Sequence, residues 1–276
     1  MRSAIVVGAT GLTSASLVKQ LCENEAYISV TVLARKKPDF EHPKLEVKIR
    51  SFDRLEERDI DYADELYCCL GTTIKKAGSK EEFEKVDFEY PLYIASLAKK
   101  RGIPHMLVIT AMGVKENSLF YYNRVKGKLE NALIELNLQQ LSIIRPSLLV
   151  GDRNEYRFGE KMGEFALKVT KPLLVGPLKR ARAIEASQVA KAMIVIALHG
   201  KRQSVTIYPS HELARLDFPE EKEGDTVSGF SKWDQRVVKE IEKIDREVVI
   251  NRDKFKIEET VVDQDVQFNK QNKEEE

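Results

Sequence analysis

The sequence predicts an α/β fold in which a doubly wound parallel sheet carries helices on both of its faces. Short β-branched runs alternate along the chain with longer amphipathic segments, which is typical of strands joined by crossover helices. The strand-like runs are almost continuously apolar, as expected when helices cover both faces of a sheet. With 276 residues, the chain is long enough to bury such a core.

Seven strands and three long helical segments are predicted in chain order. The strand-like runs are AIVVG, ISVTVLAR, LEVKIRSF, DELYCCLG, HMLVITA, LSIIRPSLLVG and VTIYPS. The helical segments between them are SASLVKQLCEN, EEFEKVDFEYPLYIASLAKKRG and RVKGKLENALIELN. This alternation places one domain at residues 1–210.

Beyond the last predicted strand the composition changes, and residues 211–276 are predicted to form a charged C-terminal extension. Part of it is expected to be helical, because apolar side chains recur at helical spacing, at Trp233, Val237, Ile241, Ile244 and Val248. That apolar stripe suits docking on the domain or a homodimer contact. The final residues are polar enough to be disordered.

Composition and charge exclude several functional classes. The formal net charge is +1 and no polybasic stretch is interleaved with aromatic residues, so nucleic acid is not an expected partner. The four histidines and three cysteines show no metal-ligand spacing. The longest purely apolar run, residues 192–198, is too short to span a bilayer, and the first strand begins too early for a signal peptide. We therefore expect a soluble, cytoplasmic protein with no metal site and no membrane partner.

The segment GATGLTS, residues 8–14, lies between the first predicted strand and the first predicted helix. In a dinucleotide fingerprint, one glycine permits the tight turn, a second lets the backbone approach the pyrophosphate, and a third lets helix and strand pack closely. Ser14 stands where the third glycine is usual. Amides at the helix N-terminus would face the phosphates. The segment predicts dinucleotide binding, against the alternative of a purely structural turn, through Gly8, Ala9, Thr10, Gly11, Leu12 and Thr13.

The end of the second predicted strand indicates which dinucleotide is bound. A carboxylate there would accept hydrogen bonds from the adenosine ribose of NAD and repel a 2′-phosphate. This chain instead has Arg35, Lys36 and Lys37, with no acid before Asp39. A guanidinium can form paired hydrogen bonds with a phosphate. The pattern favours NADP (NADPH) over NAD, and an exposed basic loop is the alternative.

Two further cofactor contacts are predicted at strand ends. Leu70, Gly71 and Thr72 follow the fourth strand, at the sheet edge that would hold the cofactor. Gly71 permits close approach of the backbone, and Thr72 offers a hydroxyl. Asp53, after the third strand, is placed either to reach the adenine amino group or to serve as a turn residue.

A YxxxK pair, Tyr122 and Lys126, lies on a predicted helix after the fifth strand. A spacing of four puts both side chains on one helix face, and an ammonium beside a phenol lowers the phenol's pKa. The tyrosine can then give its proton to a carbonyl as hydride arrives. Thr110, at the end of the fifth strand, is the candidate hydroxyl that orients the carbonyl. A surface helix pair is the alternative.

These residues together resemble the short-chain dehydrogenase/reductase superfamily, in its atypical branch. The closer resemblance is to bacterial NAD(P)-binding oxidoreductase-like proteins related to the Tat-interacting protein. The similarity covers roughly residues 1–215 and rests on GATGLTS, VLARKKP, CCLGTTIKKAGSKEEFEKVDFEYPL, ITAMG, YYNRVKGKLE and IIRPSLLVGDRNEYRFGE.

The resemblance implies a Rossmann-like domain that binds NADPH, with Thr110, Tyr122 and Lys126 as its active-site set. It also implies that Pro146, Ser147 and Leu148 lie beside the nicotinamide, and that Arg153 and Arg157 shape the substrate pocket. The chain departs from the family pattern at two points: Ser14 stands where the family usually has glycine, and Thr110-Ala111 stands where the family has serines.

Three functions are compatible with this pattern. The first is an NADPH-dependent oxidoreductase that reduces a small carbonyl substrate, with Tyr122 as the proton donor. The second is a non-catalytic NADPH-binding regulatory or redox-sensing protein. The third, a dehydratase or epimerase with tightly held NAD, is disfavoured by Arg35.

Overall fold

The computed structural model of the chain describes residues 1–151, 183–200 and 203–216. The predictions for Arg153, Arg157, the apolar stripe from Trp233 to Val248 and most of the C-terminal extension lie outside these residues.

The central sheet has seven strands, all parallel, in the order β3-β2-β1-β4-β5-β6-β9. A separate pair, β7 and β8, forms a second, two-stranded parallel sheet. The strands are β1 Arg2–Val7, β2 Tyr27–Ala34, β3 Leu45–Ile49, β4 Glu65–Cys68, β5 His105–Ile109, β6 Gln140–Arg145, β7 Leu149–Val150, β8 Ile184–Glu185 and β9 Val205–Pro209. The predicted Rossmann-like α/β fold is therefore confirmed.

One predicted strand is shorter than its apolar run. The run LSIIRPSLLVG is predicted as a strand that continues into a loop; in the structure β6 ends at Arg145 and a second short strand, β7, begins at Leu149. Pro146 has no amide hydrogen to donate to a neighbouring strand, so it interrupts the ladder. Its carbonyl oxygen instead accepts a hydrogen bond of 2.8 Å from the amide of Met112.

The helices flank the sheet and are α1 Leu12–Glu23, α2 Ile74–Ala77, α3 Lys80–Glu84, α4 Tyr90–Lys100, α5 Tyr121–Glu135, α6 Ala186–His199 and α7 Ser210–Leu213. Short 3₁₀ turns span Phe52–Arg54 and Glu57–Asp59. The predicted long helix after β4 is interrupted by one π-helical turn, Lys85–Glu89, between α3 and α4. Such turns are frequent at functional sites.

Helix α6 was missed by the sequence prediction. Its signal is the apolar run at residues 192–198, which was considered only as a membrane span. The helix is apolar on nearly all sides and buried, and it packs against α1. A bond of 3.1 Å from Gln20 Nε2 to the Ser187 carbonyl oxygen joins the two. No helix in the described part of the chain is long and apolar enough to cross a membrane.

Strand register brings the carboxyl ends of the central strands to one edge of the sheet. Val7 of β1 pairs with Cys68 of β4, and Cys68 pairs with Val108 of β5. The strand order reverses between β1 and β4, which is where ligands bind in open α/β sheets. The segments that follow β1, β4, β5 and β6 therefore meet at this edge.

Candidate active site

Gly8 begins the turn between β1 and α1 and has a left-handed backbone conformation, with φ of +88°. A Cβ atom at this position would lie 2.9 Å from the carbonyl carbon and oxygen of Cys69. These two segments of the chain approach this closely because the amide of Cys69 donates a hydrogen bond of 2.9 Å to the Val7 carbonyl oxygen. Both the conformation and the close approach therefore require glycine.

Ser14 closes the same turn from the first turn of α1. Its Oγ atom donates a 2.6 Å hydrogen bond to the Gly8 carbonyl oxygen and lies 3.1 Å from the Gly11 carbonyl oxygen. The side chain is fully buried. The departure from the glycine fingerprint therefore leaves the turn intact, because the serine hydroxyl bonds to it.

Thr13 presents a buried hydroxyl beside this turn. Its Oγ1 atom has no hydrogen-bond partner among the described residues, although the residue is only 4% exposed. Buried hydroxyls normally have a partner, so this atom fits a ligand that brings an acceptor. Gly11 lies immediately before α1, whose N-terminal amides favour an anion. The turn therefore fits a diphosphate group.

A cavity of about 210 Å³ opens between this turn and helix α5. Its walls come from the glycine turn, the segment after β4, the end of β5 and one face of α5. The lining residues are Gly11, Thr13, Ser14, Cys69, Leu70, Gly71, Thr72, Thr73, Ile74, Ile109, Thr110, Tyr122 and Lys126. The structure thus brings the predicted dinucleotide turn and the predicted catalytic residues to one cavity.

Lys126 forms a buried ion pair with Asp87, a residue that the sequence analysis missed. The Nζ to Oδ1 distance is 2.8 Å, and the side chains are 2% and 0% exposed. The other oxygen of Asp87 accepts a 2.7 Å hydrogen bond from the amide of Thr72. The spacing in the sequence could have indicated it. Asp87 lies four residues after Phe83 and four before Pro91, both buried, so it lies on the same helix face as these two residues.

The ion pair determines the protonation of the lysine. Burial acts to lower the pKa of Lys126, but the Asp87 carboxylate, with smaller effects from Tyr122 and Cys68, outweighs burial and raises the pKa above its usual value. Gly71 makes room for the pair, since a Cβ there would lie 3.3 Å from Asp87 Oδ1 and 3.7 Å from Lys126 Nζ. The lysine is therefore protonated and is held in place by the ion pair.

Tyr122 lies one helical turn before Lys126, on the face of α5 that lines the cavity. Its ring packs in a tilted arrangement against Phe83, with 5.6 Å between ring centroids. Because Phe83 is on α3, the tyrosine is held between two helices. The predicted YxxxK pair thus faces the cavity.

Thr110 lines the cavity, but its hydroxyl is engaged within the protein. Its Oγ1 atom donates a 2.6 Å hydrogen bond to Glu130 Oε1. The same carboxylate receives both Nε, at 3.1 Å, and Nη2 of Arg145. In this arrangement the hydroxyl can accept but not donate a hydrogen bond toward the cavity, so orienting a carbonyl would require exchange of the bond to Glu130.

The segment between β5 and α5 rests directly on the helix next to Lys126. A Cβ at Gly127 would lie 2.4 Å from the amide nitrogen of Glu116, so only glycine allows this approach. Asn123 Nδ2 donates to the Gly113 carbonyl oxygen at 3.0 Å. The sequence analysis missed this contact, for which the glycine inside a predicted helix was the signal.

The residues predicted to bind the adenosine half of the cofactor follow the carboxyl ends of β2 and β3. Arg35 and Lys36 are exposed directly after β2. Asp53 accepts a 2.8 Å hydrogen bond from the Tyr90 hydroxyl and lies 2.6 Å from Lys85 Nζ. The pKa of Asp53 is lowered, chiefly by Lys85 and then by Tyr90, with a contribution from the Arg35 charge. Tyr90 and Lys85 therefore hold the Asp53 carboxylate in place, and Lys85 and Arg35 surround it with positive charge.

The segment after β6 is held by the surrounding structure. The Ser147 hydroxyl accepts a 2.8 Å bond from the Ser210 hydroxyl, and the Leu148 carbonyl oxygen accepts one of 2.9 Å from the Ile184 amide. Further along, a Cβ at Gly151 would lie 3.0 Å from Leu12 Cδ1, so this segment approaches the glycine turn. No cluster of metal-ligating side chains occurs in the described ranges.

The fold is the Rossmann-like α/β fold of the short-chain dehydrogenase/reductase group. Solved structures share this fold at low sequence identity. MoeE5 in complex with UDP-glucuronic acid and NAD has a TM-score of 0.58 at 12% identity, covering 78% of this chain and 80% of MoeE5. ADP-L-glycero-D-manno-heptose-6-epimerase from Helicobacter pylori has a TM-score of 0.57 at 15% identity, covering 78% and 81%.

The chain belongs to the HIM1 family, in the group related to Protein HTATIP2. The HIM1 family model matches residues 41–172. Protein HTATIP2 of Rattus norvegicus is 35% identical over 164 residues, which are 58% of this chain and 67% of that protein. Protein FMP52, mitochondrial, of Candida albicans is 33% identical over 231 residues, covering 78% and 97%. The resemblance inferred from the sequence is confirmed.

The expectation of a cytoplasmic protein is wrong. The relatives from Candida albicans and Eremothecium gossypii, which align with 97% and 96% of their lengths, are both named mitochondrial. The expectation rested on the early start of the first strand and on the short apolar run at residues 192–198, and neither determines the destination of the chain.

Proposed function

We propose that the protein binds NADPH and acts as an oxidoreductase that reduces a small carbonyl substrate, with Tyr122 as the proton donor. The observation that carries the proposal is that the glycine turn and the Tyr122–Lys126 pair line the same cavity. Both halves of a reductase site, a diphosphate cradle and an acid–base pair, therefore lie within reach of one bound dinucleotide.

Cofactor binding is supported at three points. A diphosphate suits the close approach at Gly8 and the N-terminus of α1. It also suits the Thr13 hydroxyl, which has no hydrogen-bond partner among the described residues. Solved structures with the same fold include MoeE5 and WbmG in complex with NAD. The preference for NADPH is our own step and rests on Arg35 and Lys36 after β2, where a carboxylate would repel the 2′-phosphate.

Tyr122, Lys126 and Thr110 have different roles in the proposed reduction. A bound nicotinamide would supply the hydride to the carbonyl carbon. Tyr122 gives its phenolic proton to the carbonyl oxygen, and Lys126 holds the nicotinamide ribose from the floor of the cavity. Thr110 helps orient the carbonyl once its bond to Glu130 is exchanged.

The proposal is tested by titrating the purified protein with NADPH and NADH. Arg35→Glu is the informative variant, and Lys100→Glu, an equal charge change at the exposed end of α4, is its control. We expect tighter binding of NADPH than of NADH, and Arg35→Glu should weaken NADPH binding at least about tenfold, or roughly 1.4 kcal/mol. Failure of both dinucleotides to bind would refute the proposal.

A non-catalytic NADPH-binding protein is the second candidate, because the two residues proposed to assist Tyr122 both contact other groups of the protein. Lys126 is paired with Asp87, and Thr110 donates to Glu130. A screen of aldehydes and ketones separates the candidates, with Tyr122→Phe as the control. Turnover that disappears in Tyr122→Phe supports the reductase, whereas NADPH binding without turnover supports the second candidate.

We also propose a mitochondrial location, on the names of the relatives from yeasts. Fractionation of cells that carry the tagged full-length protein tests this location. Recovery of the protein outside the mitochondrial fraction would contradict it.

A further inference from the structure

The Asp87–Lys126 pair changes the electrostatics of the proposed acid–base site. An isolated ammonium beside Tyr122 would stabilise the phenolate. Here a carboxylate lies 2.8 Å from the same ammonium, and both side chains are buried. Two opposite charges this close together partly cancel each other's effect on a third group.

Both oxygens of the carboxylate are held in place. Asp87 Oδ1 contacts Lys126 Nζ, and Oδ2 accepts a 2.7 Å hydrogen bond from the Thr72 amide. The π-helical turn that carries Asp87 directly follows α3, whose Phe83 packs on the Tyr122 ring. One short segment of chain therefore fixes both the lysine and the tyrosine.

The titratable groups that act on the lysine come from three elements. They are Asp87 on the π-helical turn, Tyr122 on α5 and Cys68 on β4. Burial raises the pKa of the Cys68 thiol to about 11, so this group is neutral at physiological pH. The more distant Glu130 is balanced by its own partner, Arg145. Asp87 is therefore the anion that offsets the lysine charge.

We propose that Asp87 is a positioning residue that neutralises Lys126 and thereby keeps the Tyr122 phenol protonated through neutral and mildly alkaline pH. This is the form of the tyrosine that can give a proton to a carbonyl oxygen. The catalytic meaning of the inference rests on the proposed function, while the electrostatic effect does not. Asp87 acts through the lysine and touches no reacting atom.

The test measures ionisation of Tyr122 directly, in protein without a dinucleotide. The nine tyrosines are labelled with ¹³C at Cζ, whose chemical shift reports the phenolate, and Tyr122→Phe assigns the resonance. Spectra are recorded between about pH 7 and 10.5, around the ordinary tyrosine pKa of about 10. The variants are Asp87→Asn and the double variant Asp87→Asn/Lys126→Met.

In Asp87→Asn, the unbalanced ammonium should lower the midpoint of Tyr122 ionisation by about one pH unit or more. In the double variant both charges are absent, so the midpoint should return to within about half a unit of the parent value. A purely structural role for Asp87 predicts a different pattern, in which the single and double variants shift together.

The inference is overturned if Asp87→Asn folds and its Tyr122 midpoint equals that of the parent. It is also overturned if the double variant keeps the shift of the single variant. If Asp87→Asn does not fold, the neutral double variant still decides, since a midpoint more than about one unit from the parent contradicts mutual neutralisation. NADPH binding is measured separately on the same samples, so failure of the cofactor proposal leaves the tyrosine result readable.

Discussion

Ser14 Oγ donates a 2.6 Å hydrogen bond to the carbonyl oxygen of Gly8 and thereby ties the first turn of α1 to the end of β1. The glycine fingerprint uses the absence of a side chain at this position to bring helix and strand together. This protein reaches the same close packing with a small side chain that bonds to the turn.

Ser14→Ala should lower the free energy of unfolding by about 1–2 kcal/mol, because the buried carbonyl of Gly8 loses its side-chain donor. NADPH affinity should fall as well, since the turn that faces the phosphates loosens. Ser16→Ala, on the same helix but half-buried, is the control and should change stability by less than about 0.5 kcal/mol. Urea unfolding and NADPH titration check both quantities. Equal effects of the two variants would show that the Ser14 bond is not important for the turn.

Gly8→Ala should abolish dinucleotide binding and destabilise the fold strongly. The new Cβ would lie 2.9 Å from the backbone of Cys69, and the φ of +88° would itself be strained. Gly78→Ala is a matched control, because its φ is +90° and a Cβ there meets nothing within 4 Å. We expect Gly78→Ala to cost about 1–2 kcal/mol from conformation alone. Gly8→Ala should cost a further 1–3 kcal/mol, roughly, from overpacking.

Thermal unfolding of these two glycine variants separates strain from close approach. If Gly78→Ala destabilises as much as Gly8→Ala, the close approach of the Cys69 backbone adds no cost beyond that of the backbone conformation. Binding of NADPH should be retained by Gly78→Ala in either case.

His105 should make the protein lose stability in acid. Burial lowers its pKa to about 3, with a smaller effect from Arg2, and its Nε2 lies 2.8 Å from Ser142 Oγ. The unfolded chain takes up the proton near pH 6.5, whereas the folded protein does so only near pH 3. The stability that comes from the depressed pKa is therefore full above pH 6.5 and is lost as the pH falls toward 3. His105→Gln should reduce this loss, as measured by unfolding at several pH values.

Glu65 changes the stability with pH in the direction opposite to His105, so a test of His105 needs a control for it. Burial raises its pKa from 4.5 to about 7, even though Arg2 pairs with it. The folded protein then holds the proton more tightly than the unfolded chain, so this contribution is full below pH 4.5 and is lost as the pH rises to 7. The two slopes oppose each other between about pH 4.5 and 6.5. The His105→Gln effect should therefore be clearest in a Glu65→Gln background, and no change in acid stability there would contradict the prediction.

Most of the framework was accessible from the sequence because it depends on local patterns. Apolar runs and the glycine turn predicted the seven-stranded sheet and the position of the cavity. The Tyr122–Lys126 spacing predicted one lining face. These features follow from periodicity and from turn conformation, which a single segment determines.

What was missed depends on tertiary contacts between distant segments. The pairing of Asp87 with Lys126 joins the π-helical turn to α5 across 39 positions (126 − 87). The bond from Thr110 to Glu130 likewise joins β5 to α5. A buried acid on a helix face indicates that some partner exists, but the packing of the two elements decides which residue it is.

The final prediction concerns Thr110, for which the proposed catalytic role and the observed bond to Glu130 give different results. Thr110→Val removes the hydroxyl and leaves Arg145 as the partner of Glu130 among the described residues. We expect a loss of about 1–3 kcal/mol in the free energy of unfolding, because a buried carboxylate loses a donor. Thr110→Ser keeps a hydroxyl at the same position and should recover most of that stability. If the hydroxyl also orients the carbonyl, Thr110→Val should lower kcat with little change in the affinity for NADPH, and Thr110→Ser should restore kcat. If stability falls while kcat is unchanged in folded protein, the hydroxyl serves only to fix Glu130, and Tyr122 donates its proton without its help.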